Sequence, residues 1–230
     1  MANIILLGGT GHGGWYFEEV VPKLEQAGHV ALAPHMSGLD PDGVSTKAIN
    51  LDTHIEDVLT VIESNGFDEV VLVAHSYAGM VITGVADRTK AKVTGLIYLD
   101  APVPKPGQRL WDIIDEDMRQ AWLASTVDGL NIHPGADFKA FRPRVMPHPF
   151  GTKLQALNYS ESVFDVPTKV YVYSEKYFGV PEMKSPFTVI YNRLRETAGW
   201  TTYSWAHGHD LVAEVPEKVT ELILETVAKI

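Results

Sequence analysis

An apolar run that ends next to a serine limits the folds that this chain can adopt. Residues Val70–Ala74 are apolar, and Ser76 follows them after one histidine. Ala78 and Gly79 are small, and a second apolar stretch with helix-like spacing comes after them. A short apolar run followed by a small-residue turn and a helix is typical of a strand buried on both faces. The pattern predicts that Ser76 stands on a sharp strand-to-helix turn with its hydroxyl exposed, which suits a nucleophile for acyl transfer.

Apolar runs of the same kind recur along the chain and alternate with helical patterns. Six candidate strands are rich in Val, Ile, Leu and Tyr: Asn3–Leu7, His29–Pro34, Glu69–Ala74, Val93–Leu99, Thr168–Ser174 and Trp200–Trp205. One helix between them shows apolar residues from Ile55 to Ile62 at positions i, i+3, i+4 and i+7, and Thr53 with Glu56 is interpreted as its capping box. The alternation predicts an α/β fold, a mostly parallel sheet with helices on both faces.

The segment from about residue 104 to 165 interrupts this alternation with prolines, aromatic residues and methionines. We expect it to form a small, mostly helical cap over the C-terminal edge of the sheet, within a single domain that spans residues 1–230. Because aromatic residues and Met suit apolar pockets, this composition favours a cap that lines a pocket. The alternative is a peripheral helical layer with no role in binding.

Composition excludes several classes of function. The chain has 19 basic and 29 acidic residues and a net charge of −10, which argues against nucleic acid or an anionic membrane as a partner. It has no cysteine, so disulfides, thiolate metal sites and cysteine nucleophiles are excluded. The N-terminal stretch Met1–Leu7 lacks the basic region of a signal peptide, and no apolar stretch approaches bilayer length. We expect a cytoplasmic protein, for which a homodimer is compatible with the sequence.

The glycine-rich loop Gly9–Gly14 after the first strand admits two interpretations. It matches the G-x-G-x-x-G dinucleotide fingerprint, but the acid expected at the end of the second strand is absent and Asp40 lies beyond a loop. In the other interpretation, the loop backbone approaches a reacting carbonyl. The N–H groups of Thr10 and Tyr77 would then form an oxyanion hole, which acyl transfer needs because charge builds on the carbonyl oxygen. The serine turn favours this second interpretation.

A general base and an acid must accompany the serine. His207 and His209 follow the last candidate strand, and we prefer His209 because the glycine before it frees the turn. No companion cluster of acids and histidines supports a metal site at this pair. Asp100 ends the strand after the serine turn, where sites in open α/β sheets collect. Glu175, after the next strand candidate, is the competing acid, and we prefer Asp100.

Together these residues resemble the α/β-hydrolase superfamily, and within it the branch of small esterases and hydroxynitrile lyases. The resemblance covers five segments: Leu7–Trp15, Val20–Glu25, the turn at Ser76, Tyr98–Ala101 and Gly208–Asp210. The usual His-Gly after the first strand is Gly8-Gly9 here, and Ala74 and Ala78 replace the two glycines around the serine. The family often places its acid after the penultimate strand, where this chain has no aspartate. A minority, which includes haloalkane dehalogenases and fungal lactonases, places it where Asp100 stands.

The resemblance implies a carboxylic ester or lactone hydrolase that acts through an acyl-enzyme, with Ser76 as nucleophile, His209 as base and no cofactor or metal. A small, mainly apolar substrate is expected. The lyase branch carries a lysine directly after its catalytic histidine and a threonine beside the oxyanion donor, where this chain has Asp210 and Gly9. The alternatives are a non-hydrolytic protein of the same fold, either a small-ligand binder or a lyase, and an NAD(P)-binding oxidoreductase.

Overall fold

A computed structural model describes residues 1–40, 48–176 and 185–230. The strands are β1 Asn3–Leu7, β2 Val30–Leu32, β3 Glu69–His75, β4 Lys92–Leu99, β5 Asn131–Ile132, β6 His148–Pro149, β7 Thr168–Ser174 and β8 Trp200–Trp205. The α-helices are α1 Val21–Gln26, α2 Leu51–Ser64, α3 Ala78–Arg88, α4 Leu110–Ile113, α5 Glu116–Ser125, α6 Ala136–Phe141, α7 Gly151–Leu154, α8 Thr188–Leu194, α9 Leu211–Glu214 and α10 Pro216–Val227. Short 3₁₀ helices cover Gly14–Phe17 and Glu161–Asp165.

Six strands form one parallel sheet in the order β2-β1-β3-β4-β7-β8, which confirms the predicted fold class. All six predicted strands are present. The second is shorter than the predicted His29–Pro34 and ends at Leu32. Pro34 has no N–H to donate to a ladder and restricts the residue before it, which accounts for the earlier end.

Helices cover both faces of the sheet, and each face has its own core. Along β1, Ile5 and Leu7 pack into one core, while Ile4 and Leu6 pack into the other. The first core includes residues of α2, α3 and α8, and the second includes residues of α1, α9 and α10. This two-residue alternation with both sides buried is what a parallel sheet covered by helices requires.

The start of α2 differs from the prediction by one turn. Asn50 is the N-cap: its side chain accepts a hydrogen bond from the Thr53 N–H at 3.0 Å, and Thr53 Oγ1 accepts one from the Asn50 N–H at 3.3 Å. The predicted box of Thr53 with Glu56 is therefore wrong. Asn and Thr can both cap a helix, so the sequence contains two neighbouring residues, Asn50 and Thr53, that suit the N-cap of α2.

Between residues 104 and 165 the chain forms the four short helices α4–α7 and a two-stranded antiparallel pair, β5 with β6, that the sequence did not predict. In the ranges that the structure describes, no helix combines the length and apolar character needed to cross a membrane.

Candidate active site

Ser76 follows β3 directly, on a sharp turn. Its φ of +53° lies in the left-handed region, which non-glycine residues adopt at a cost of about 1–2 kcal/mol. Its N–H donates to the Leu99 carbonyl at 3.2 Å, and its carbonyl accepts from the Gly79 N–H at 2.9 Å as α3 begins. A Cβ at Gly79 would lie 2.2 Å from the Pro102 carbonyl oxygen, so glycine is needed for this close approach. These contacts hold the strained turn.

His209 contacts the residues that follow two neighbouring strands, Ser76 after β3 and Asp100 after β4. Its Nε2 lies 2.9 Å from Ser76 Oγ, and its Nδ1 lies 2.6 Å from Asp100 Oδ2. Its carbonyl accepts a hydrogen bond from His75 Nε2 at 2.8 Å. The side chain is buried, with 8% of the residue exposed. The imidazole is therefore held between hydroxyl and carboxylate in one line of hydrogen bonds.

Asp100 follows β4 and also has left-handed backbone, with φ +42°. Its N–H donates to the Val172 carbonyl at 2.7 Å, which continues the ladder towards β7. The fully buried carboxylate accepts from Ser185 Oγ at 2.9 Å and from the Ser174 N–H at 3.3 Å, in addition to His209. Hydrogen-bond donors stabilise a buried carboxylate in its charged form. Ser185 is not among the predicted site residues, because a serine that meets the carboxylate only through the fold carries no local sequence signal.

The two competing candidates lie outside this line of contacts. Glu175 is exposed, and its carboxylate accepts a hydrogen bond from Ser204 Oγ at 2.8 Å on the neighbouring strand. His207 is only partly buried, and its carbonyl accepts from the Lys176 N–H at 3.1 Å. The structure therefore brings the preferred acid and base together with the serine, and leaves these two apart from it.

The two predicted oxyanion donors lie on either side of the serine. Tyr77 is the next residue and the N-cap of α3, while Thr10 lies on the loop after β1. A Cβ at Gly9 would lie 2.7 Å from Ser76 Cβ, so the missing side chain lets this loop pass against the serine. The backbone N–H groups of Thr10 and Tyr77 donate no hydrogen bond to another described residue.

The cap holds the tip of the same loop. Gly11 donates its N–H to His148 Nδ1 at 3.1 Å and accepts at its carbonyl from the Met146 N–H at 2.9 Å. The Thr10 carbonyl accepts from His12 Nδ1 at 2.9 Å. Both polar backbone groups of Gly11 and one of Thr10 are thus fixed, which limits the positions that the Thr10 N–H can adopt.

A cavity of about 580 Å³ opens above Ser76 and His209. Much of its lining is apolar and comes from the cap: Leu110, Ile114, Met118, Ala121, Trp122, Ile132, Phe138, Val145 and Met146. Of the two expectations for the segment 104–165, the structure supports the one in which it lines a pocket. A mostly apolar cavity with a few convergent polar groups is the usual form of a small-molecule site.

Comparison with known proteins gives the same assignment as the fold. Residues 4–222 match the model of the alpha/beta hydrolase family. A carbendazim-hydrolysing esterase of Nocardioides sp. (strain SG-4G) is 32% identical, covering 96% of this chain and 98% of that protein. The chain belongs to the alpha/beta hydrolase family. The resemblance drawn from the sequence is thereby confirmed, and the named esterases among its relatives identify this alpha/beta hydrolase as a carboxylic ester hydrolase.

Solved structures share the fold of this alpha/beta hydrolase over nearly all of the 230 residues. An extracellular alpha/beta-hydrolase from a Paenibacillus species, described as homologous to tobacco salicylic acid binding protein 2, aligns with a TM-score of 0.82 at 17% identity, covering 98% of this chain and 99% of that one. A pyrethroid hydrolase from Sphingobium faniae JZ-2 aligns with a TM-score of 0.71 at 21% identity, covering 97% and 96%.

An ion pair joins the cap of this alpha/beta hydrolase to the loop that carries His209. Arg142 Nε donates to Asp210 Oδ2 at 2.6 Å, and the Tyr16 hydroxyl donates to the other oxygen of that carboxylate. The paired carboxylate lines the cavity. Among the described residues, no group of three or more His, Cys, Asp or Glu side chains is placed to hold a metal ion.

Several buried histidines surround the serine, and burial lowers their pKa because the charged form loses its hydration. The pKa falls to about 4 for His12, to about 4 for His54 and to about 3 for His75. Near pH 7 these side chains are neutral. His54 then donates from Nε2 to the Ser37 carbonyl at 2.8 Å and accepts from the Tyr77 hydroxyl at Nδ1, at 3.0 Å.

We predict that the folded protein loses stability as the pH falls from about 6.5 towards 4. In that window the unfolded chain protonates histidines that the folded chain keeps neutral, so the unfolded state binds more protons and gains relative stability. Because the pKa of His54 in the folded state is about 4, this residue accounts for about 2 kcal/mol of the loss in unfolding free energy at pH 5. Urea unfolding at pH 7.5 and pH 5 measures the loss, and His54→Gln should show a smaller one. Equal unfolding free energies of the unmodified protein at the two pH values would contradict the prediction.

Proposed function

We propose that this enzyme is a serine hydrolase that cleaves a carboxylic ester or lactone through an acyl-enzyme. Ser76 is the nucleophile, His209 the general base and Asp100 the orienting acid. The observation that carries the proposal is the continuous contact from Ser76 Oγ to His209 Nε2 at 2.9 Å and from His209 Nδ1 to Asp100 at 2.6 Å. This contact opens onto a substrate-sized cavity.

The hydrogen bonds fix the direction of proton transfer. In the proposed arrangement the Asp100 carboxylate accepts the Nδ1–H of His209, which leaves the Nε2 lone pair facing the Ser76 hydroxyl. In the proposed reaction His209 takes the serine proton as Oγ attacks the substrate carbonyl. The backbone N–H groups of Thr10 and Tyr77 then donate to the oxyanion of the tetrahedral intermediate. His209 passes its proton to the leaving alcohol, and the same groups activate water to hydrolyse the acyl-enzyme.

The lining of the cavity supports a small, mainly apolar substrate. Relatives named for carbendazim and for pyrethroids support hydrolysis of small organic molecules. The absence of cysteine supports a cytoplasmic location. The net charge of −10 supports such a small molecule as the partner, in preference to nucleic acid. No step of this mechanism needs a cofactor or a metal.

Lyase activity is less well supported. In the lyase branch a lysine follows the catalytic histidine, whereas here the next residue is Asp210, a carboxylate held by Arg142. That position cannot supply the cation. A manioc (Manihot esculenta) (S)-hydroxynitrile lyase is 32% identical over only 45% of this chain.

We predict that Ser76→Ala and His209→Ala each lower the turnover of short p-nitrophenyl esters by at least about 10³-fold, because each removes a group that acts in the transition state. His207→Ala is the matched control on the same loop and should keep its activity. Thermal unfolding of each variant shows whether the fold is retained. Near-normal turnover by Ser76→Ala would overturn the proposed function.

The assignment of Asp100 as the acid predicts that substitutions at Asp100 and at Glu175 differ in their effect on kcat. Asp100→Asn keeps the shape of the side chain but no longer holds His209 in the required tautomer, and it should lower kcat by about 10³–10⁴-fold. Glu175→Gln, the matched change directly after the adjacent strand β7, should leave kcat within about twofold, because the exposed Glu175 carboxylate bonds the Ser204 hydroxyl on the neighbouring strand. Steady-state kinetics on the same ester decides between them. Loss of activity only in the Glu175 variant would show that Asp100 is the wrong acid.

A further inference from the structure

A lysine of the cap contacts the side chains of both proposed oxyanion-hole residues. Lys153 lies on α7, and its residue exposure is 0%. Its Nζ lies 2.9 Å from Thr10 Oγ1 and 3.6 Å from the centroid of the Tyr77 ring. A second ring, that of Trp122, lies 5.4 Å away. The amine thus bridges the loop after β1 and the turn after Ser76.

Packing alone does not account for an amine at this position. Lys153 forms no ion pair with a described residue, so within the described part of the chain no carboxylate is paired with it to offset the loss of hydration. Burial lowers its pKa well below the usual 10.5. A methionine or leucine would fill a similar space without burying a polar group. Ionisable groups kept at such a cost often serve a site.

Lys153 is the donor in its hydrogen bond to Thr10, and this contact bears on the oxyanion hole beside Ser76. Lys153 carries N–H groups whether or not it is protonated, so it donates to the Thr10 hydroxyl oxygen in either state. Its position over the Tyr77 ring face adds a favourable interaction when the amine is charged. Both residues that it touches are those whose backbone N–H groups flank Ser76. Shifting either N–H by a fraction of an ångström weakens a preorganised oxyanion hole.

We propose that Lys153 is a positioning residue: by bonding Thr10 and lying against the Tyr77 ring, it holds the two backbone N–H groups of the oxyanion hole at their working separation. The inference rests on the proposed serine-hydrolase function. It makes the cap part of the catalytic apparatus, since α7 reaches the oxyanion loop through this side chain.

The test is a double-mutant cycle on ester hydrolysis by the protein of residues 1–230. Lys153→Met and Thr10→Val each remove the hydrogen bond and keep a similar volume. Each should lower kcat about 10- to 100-fold with KM within about threefold, because the loss falls on the transition state. The double variant should be within about threefold of Lys153→Met, since both changes break one contact. Lys105→Met, an exposed cap lysine, is the matched control and should keep full kcat.

Three results would overturn the inference: unchanged kcat in Lys153→Met, independent multiplicative losses in the cycle, or a rise in KM alone. If Lys153→Met does not fold, the pair Thr10→Val and Thr10→Ser still decides. Serine keeps the hydroxyl that accepts from Lys153, so Thr10→Ser should have a kcat at least about tenfold higher than Thr10→Val, and equal kcat in the pair would contradict the proposal. This inference and the proposed function can fail separately. An inactive Ser76→Ala together with a fully active Lys153→Met would contradict the role of Lys153 and leave the proposed function standing.

Discussion

Two left-handed residues at the ends of adjacent parallel strands are the constraint on which the site depends. Ser76 and Asp100 have φ values of +53° and +42°, and they follow β3 and β4, which pair as far as His75 opposite Leu99. The Ser76 N–H bonds the Leu99 carbonyl, so the turn remains attached to the sheet. Parallel strands place these turns at one edge, and the buried sheet compensates for their strain. An imidazole from the loop after β8 can then reach both side chains.

The cap not only lines the cavity but also contacts the loops that carry the proposed catalytic groups. Met146 and His148 fix both backbone groups of Gly11, while Lys153 reaches Thr10. On the other side, Arg142 bonds the carboxylate next to His209. The cap is therefore tied to the oxyanion loop and to the histidine loop. Substitutions in its apolar lining can alter substrate choice, whereas substitutions at these polar contacts should alter the geometry of the site.

The sequence predicts those features that depend on local pattern. Apolar runs mark all six sheet strands, since strands buried on both faces must be apolar throughout. The order of Ser76, Asp100 and His209 relative to the strands places them at one sheet edge before any coordinates are known. Family resemblance then adds the expected role of each residue.

Features that depend on tertiary contact were not accessible from the sequence. Asp100 and Glu175 both follow apolar strands, and only the fold shows that one faces His209 while the other bonds Ser204. Ser185 and Lys153 carry no local signal, because their burial results from segments far apart in sequence. The pair β5 and β6 is two residues per strand, too short for alternation to be visible.

In the proposed mechanism Ser76 carries the acyl group during turnover. Rapid quenching with p-nitrophenyl trimethylacetate, an ester whose bulky acyl group deacylates slowly, followed by intact-mass and peptide-mass measurement, tests it directly. We predict one acyl adduct per chain, located on Ser76 and absent from Ser76→Ala. An adduct on another residue, or turnover of this ester in Ser76→Ala at the unmodified rate, would contradict it.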